Sequence, residues 1–253
     1  MSDPALFALA LALADDALVL GHRLSEWSGK APSLEEDIAL SNLGLDLIGQ
    51  ARLFYQLAAS LEDQGRDEDQ LAYFRDAPDF RNVLLVELPR GDFAFTMARQ
   101  LAVSAFLVPS YTALARSPEP RLAEIAAKAV KEMTYHVRHA SEWVIRLGDG
   151  TDESRRRVIA ALDAIWPYVA ELFEVDANEH RLVSAGIVPD RTAIRRHWDA
   201  TLDRVLAEAR LQRPDVADNE RKTGGRAGHH TQHLATMLAE MQSLARAHPG
   251  ATW

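Results

Sequence analysis

The sequence contains no cysteine. Disulfides, thiolate metal sites, iron–sulfur clusters and cysteine nucleophiles are therefore excluded. Basic residues are in deficit, with 28 Lys and Arg against 37 Asp and Glu and a net charge of -9. That balance argues against general affinity for nucleic acid or anionic membranes. There is no GxSxG elbow, no HExxH helix and no Walker loop, and no stretch alternates with the period of a strand. Long apolar runs are also missing. The run 5–14 stops at Asp15 and Asp16, short of the ~20 residues that a membrane span requires, and no basic segment precedes it as in a signal peptide. A cytoplasmic protein without membrane or nucleic-acid partners is the expectation.

What is present is helical periodicity. With 47% hydrophobic and 26% charged residues, the chain can bury a full core, and no linker divides it, so 1–253 is read as a single domain. Apolar residues recur at three- and four-residue steps over 5–27, 34–61, 92–116, 122–147, 151–173, 190–211 and 231–247. Ser33, Asp92 and Asp190 stand where N-caps belong. Pro109 should kink the third of these helices, and the fifth should kink or break near Trp166-Pro167. Residues 174–189 read as a loop. The helix 34–61 shows two apolar stripes, Leu40/Leu43/Leu47 and Ile38/Leu45/Ile48, as though sandwiched between neighbours. Two helix pairs with tight turns, joined by a long connection over 62–92, make the pattern of a ferritin-like bundle, here with additional C-terminal helices.

Such bundles hold di-iron sites through Glu on two helices and Glu-x-x-His pairs on the other two. Residues 122–147 direct Glu132, His136 and His139 toward the buried stripe. Yet the residues three places before the nine histidines are Val19, Met133, His136, Ala177, Ile194, Arg226, Ala227, His230 and Ala245, and none is acidic. Glu132 precedes His136 by four, a spacing that suits a mutual hydrogen bond along one helix face. Asp46 is followed three residues on by Gly49, and Gln100 and Ser104 stand where a bundle would project an iron-binding Glu. The metal position is therefore read as degenerate, with Asp46, Glu132 and His136 as its remnants. Asp15, His22 and Glu26 share another helix face, read as solvated. Gly224, Gly225 and Gly228 precede a helix as in some anion cradles, without a P-loop or dinucleotide motif; a plain turn is favoured over anion binding. His229, His230 and His233 read as capping and packing residues.

The strings ALVLGHRLSEW, DIALSNLGLDLIGQAR, FRNVLLVELPRGDFAFTMARQ, AKAVKEMTYHVRHASEWVIRLGDGTDES and TGGRAGHHTQHLATMLAEMQ resemble, in order and over nearly the whole chain, the C subunits of bacterial phenylacetyl-CoA epoxidases, multicomponent ring monooxygenases. The resemblance implies a non-catalytic ferritin-like subunit that has no metal of its own and supports a paralogous catalytic A subunit. That subunit would hold the di-iron cofactor and phenylacetyl-CoA, with a small B subunit and a flavin and iron–sulfur reductase completing the system. It also implies that Pro78, Asp79, Phe80 and Arg81, with Glu179, His180 and Arg181, lie near an acyl-CoA-handling surface. Two alternatives stand beside it. One is a self-contained metalloprotein with an irregular site from Asp15, His22, Glu26, Asp46, Glu132 and His136; the other is an all-α binding module for an unrelated protein.

Overall fold

The computed structural model describes residues 3–62 and 64–251; Met1, Ser2, Asp63, Thr252 and Trp253 lie outside it, and with them the opening Met-Ser and one residue of the acidic connection. Among the described residues there are eleven α-helices and no strand. Helices α1 (Pro4–Ser25) and α2 (Leu34–Leu61) form one hairpin, and α5 (Phe93–Leu114) and α6 (Pro120–Gly148) form the other. The short helices α3 (Glu68–Tyr73) and α4 (Leu84–Glu87) lie in the connection between them. Helices α7 (Asp152–Val169) and α9 (Arg191–Glu208) pack on α5, while α8 (Ala177–Ser184) packs on α1; α10 (Gln232–Met241) and α11 (Ser243–Ala247) follow. This is the ferritin-like arrangement expected, with its C-terminal additions.

The caps are where the sequence puts them. Ser33, Asp92 and Asp190 accept backbone N–H bonds from Glu36 (3.3 Å), Phe95 (2.9 Å) and Thr192 (2.8 Å), each satisfying a donor that the first helical turn leaves free. The first hairpin closes tightly because two glycines face each other. A Cβ on Gly21 would sit 3.2 Å from the Gly44 carbonyl oxygen, and one on Gly44 equally close to that of Gly21. By length and composition α1 and α5, with mean hydropathy 1.8 and 1.2, could cross a membrane, but 72% and 78% of those stretches are buried inside the bundle, where they supply its core.

Three expectations need correction, and the alternatives for the fifth helix are narrowed. Residues 177–184 are helical: Asp176 caps them through the Glu179 N–H (2.7 Å), and Leu182 anchors them in the core. Helix α7 runs past Pro167 to Val169 before tightening into a 3-10 turn over Ala170–Phe173. The second stripe of α2 is covered only in part: Ile48 packs near Gly21, but Ile38 and Leu45 are 54% and 65% exposed, as is Leu34 on the same side at 74%. Asp15, finally, does not face water.

Asp15 is fully buried. Its carboxylate receives the Arg75 guanidinium, the Tyr55 hydroxyl (2.5 Å) and the Arg81 backbone N–H (2.7 Å). The Arg75 guanidinium also lies 4.2 Å from the centre of the Phe80 ring. The next residue, Asp16, accepts from the Val83 N–H (2.8 Å) and from Arg226 (2.6 Å). Two consecutive carboxylates on α1 thus fasten the long connection to the bundle, and Arg226 draws in the C-terminal segment. The face is buried because its counter-charges come from residues 60 and 210 positions away. His22 is partly covered, and burial holds its imidazole below the ordinary value, with Glu26 opposing. Glu26 itself pairs with Arg23 (2.5 Å).

Removing one member of a buried ion pair leaves the other charge without compensation. Asp15→Asn is therefore expected to cost about 3–5 kcal/mol in urea unfolding, whereas Asp163→Asn on the exposed side of α7 should change stability by less than about 0.5 kcal/mol. Equal midpoints for the two variants would refute this account of the connection.

Candidate functional site: a filled metal position

Helices α2, α5 and α6 bring together the residues singled out as metal remnants. His136 is fully buried on α6. Its Nε2 lies 3.2 Å from Asp46 Oδ2 on α2, and its Nδ1 lies 3.0 Å from Gln100 Nε2 on α5. A carboxylate only accepts, so Nε2 carries the proton and Nδ1 accepts from the Gln100 amide. The result is a directed chain, Gln100 to His136 to Asp46, running from the core to a carboxylate that is partly exposed. Burial holds the His136 imidazole below its ordinary value of 6.5, while the bond to Asp46 opposes that shift. The ring is thus neutral, as the chain requires.

The expected Glu132–His136 bond is not made. Glu132 accepts instead from Gln50 Nε2 on α2 (2.8 Å) and has Lys128 at 4.0 Å. The reason is positional: His136 is held between α2 and α5, and the Gln50 amide on α2 is the donor that reaches Glu132. Ser104 donates to its own helix at Gln100 O, and His139 pairs with Glu36 (2.9 Å). The six residues of the irregular-site alternative are likewise divided. Asp15 binds Arg75, Glu26 binds Arg23 and Glu132 binds Gln50; only Asp46 and His136 bond to each other. Among the described residues no group of three or more His, Cys, Asp or Glu side chains could hold a metal ion. Two amides, a hydroxyl and one Asp–His contact form a poor donor set for the two irons that this fold elsewhere carries. A di-iron centre does not fit here.

The glycine loop before α10 does cradle an anion, and the anion is the protein's own. The N–H groups of Gly224 and Gly225 donate to Glu171 Oε1 (2.9 and 2.7 Å), and that of Leu84 donates to Glu171 Oε2 (2.6 Å). A side chain at position 225 would collide with the Asn82 carbonyl oxygen, so only glycine allows this approach. Beside it, Glu87 on α4 is fully buried and accepts from Asn82 (2.9 Å), the Thr231 N–H (2.6 Å) and His230 Nδ1 (2.7 Å). His230 Nε2 lies 3.0 Å from the Phe80 carbonyl oxygen. Burial alone would lower the His230 imidazole, but its bonds to Glu87 and to Phe80 together hold it above the ordinary value. No local pattern in the sequence signals Glu87 or Glu171, because their partners lie as far as 144 and 87 residues away.

Of the acyl-CoA-facing candidates, Phe80 is buried under Arg75. Arg81 donates to the carbonyls of Pro78 (2.7 Å) and Phe80 (2.6 Å), while Pro78 and Asp79 are exposed. On α8, Glu179 pairs with Arg191 (2.5 Å), and His180 and Arg181 face solvent. The two groups share one neighbour: Arg226 donates to the Arg81 carbonyl (2.7 Å) and feels the charge of Glu179.

These features define an all-α, ferritin-like protein in which Asp46, Gln100 and His136 form one hydrogen-bonded chain across three helices. The chain belongs to the phenylacetic acid catabolic protein family, whose sequence profile matches residues 1–253. It is 47% identical, over 98% of its length and 99% of the relative's, to the C subunit of the 1,2-phenylacetyl-CoA epoxidase of Escherichia coli (strain K12).

The site makes two testable demands on stability. Glu132→Ala leaves the Gln50 amide without its acceptor and should cost about 1–3 kcal/mol; an unchanged melting temperature would contradict the bond. The histidines should act on stability in opposite directions with pH. His136 is depressed in the fold, so its contribution is present above 6.5 and is lost as pH falls through the lower folded value. His230 is raised, so its contribution is present below 6.5 and is lost as pH rises through the higher folded value. Titration of the two ring protons by NMR, with unfolding curves of His136→Asn and His230→Asn against pH, checks both signs.

Proposed function

We propose that this chain is the non-catalytic structural subunit of a phenylacetyl-CoA epoxidase, and that it pairs with and supports a di-iron catalytic A subunit. The chain Gln100–His136–Asp46 carries this reading: the place where a catalytic bundle would bind iron is spent on cross-linking three helices. The name of the E. coli relative supports the assignment to phenylacetate catabolism. In this reading the chain carries no metal. Its partners are the A subunit, a small B subunit and a reductase, and it meets phenylacetyl-CoA only through the A subunit.

The uncovered stripe of α2 supports a partner. Leu34, Ile38 and Leu45 lie within about 40° of one another around the helix, by the angle of about 100° per residue, and all three are exposed. Exposed large apolar residues aligned on one face mark interaction surfaces. An obligate interface buries about 2,000 Å² or more, and this stripe would contribute its apolar centre.

Reconstitution tests the proposal. Epoxidation should require both chains, and Leu45→Asp should weaken their co-purification while leaving the melting temperature of this chain within a few degrees. Full turnover by the A subunit and reductase without this chain would refute it, as would stoichiometric iron bound here after anaerobic loading.

A further inference from the structure

A groove of about 410 Å³ lies between α5, α6 and α9, away from the residues that cross-link the bundle. Its volume falls within the ~300–1,000 Å³ that small-molecule sites occupy. Val108 and Pro109 on α5, Val137 on α6 and Ile194 on α9 give it apolar walls. Three threonines also line it, and each has turned its hydroxyl back to its own helix. Thr112 donates to Val108 O (2.7 Å), Thr134 to Val130 O (2.7 Å) and Thr201 to His197 O (3.0 Å). What they leave for the groove is largely methyl surface.

One cationic group at this groove remains available. Arg116 is exposed and, among the described residues, its side chain makes no ion pair or hydrogen bond. His197 Nδ1 lies 2.9 Å from the Ala193 carbonyl oxygen, and a carbonyl only accepts, so Nδ1 is the protonated nitrogen and the ring has no donor left for the groove. No Asp or Glu lines the groove, although the chain as a whole is acidic. An apolar trough with an unpaired guanidinium at its edge complements a ligand with one apolar body and one anionic head. We propose that this groove binds a small monocarboxylate with an aryl or alkyl body, the carboxylate on Arg116 and the body between Val108, Pro109, Val137 and Ile194. None of these residues takes part in the metal-position chain or the α2 stripe, so the groove stands or falls separately from the subunit role above.

Ligand-observed NMR and calorimetry on the full chain test it with three probes: phenylacetate, octanoate and the neutral isostere phenylacetamide. Phenylacetate should bind saturably, and the stronger of the two acids identifies the preferred body. Arg116→Gln should weaken the acids about tenfold or more and leave phenylacetamide unchanged. Ala193→Trp, at a half-exposed position on the rim, should fill the groove and abolish all three. Both variants stand at positions where a fold defect is not expected, and unchanged melting temperatures verify that. Absence of saturable binding by either acid overturns the proposal. So does binding that is unaffected by Ala193→Trp, or equal loss of phenylacetamide and phenylacetate in Arg116→Gln.

Discussion

The bundle depends on the burial of two adjacent carboxylates on its first helix. Asp15 and Asp16 cannot be left in a dry interior without counter-charges, and their partners, Arg75 and Arg226, come from the connection and from the C-terminal segment. A long connection has no hydrophobic stripe regular enough to fix its own path. Here its path is fixed by what the carboxylates require: the backbone N–H groups of Arg81 and Val83 must arrive at defined points on α1. Directional bonds of this kind specify one arrangement among many of similar apolar burial.

The same logic accounts for the degenerate metal position. In a metal-binding bundle, an ion holds four helices at the centre. In this chain the corresponding helices are joined by neutral and singly charged hydrogen bonds, and the tautomer of His136 is set by the carboxylate at one end and the amide at the other. Such a chain joins α2, α5 and α6 through their own side chains.

The helices and their ends are legible in the sequence because local chemistry sets them. Ser33, Asp92 and Asp190 cap the helices that follow them, and the length of the connection points to the bundle. The absence of acid three residues before any histidine removes the metal pairing. Contacts across the chain are not legible in the same way. Spacing assigns Glu132 to the nearest imidazole, since periodicity shows which residues share a face and not which neighbour reaches them. Asp15 reads as solvated because Arg75 lies 60 residues further on. The stripe of Ile38, Leu45 and Ile48 reads as sandwiched because an apolar face has the same spacing whether or not a neighbour covers all of it. Helix α8 escapes notice because few of its residues are buried, Leu182 being the anchor.

Glu171 occupying the glycine loop has a consequence for the order of synthesis. The loop at Gly224 and Gly225 closes on a carboxylate more than 50 residues upstream, and Arg226 reaches back 214 residues to the Ala12 carbonyl. Asp16 and Glu171 therefore remain only partly compensated on the ribosome until nearly nine-tenths of the polypeptide has been made. Contacts of such long sequence separation form late and slowly. Through that interval the first helices are held together mainly by the Gly21–Gly44 approach and their apolar faces, and the uncovered stripe of α2 is exposed from the start. A newly made chain therefore displays this apolar stripe before it can finish its own fold, which separates formation of the first hairpin from completion of the bundle.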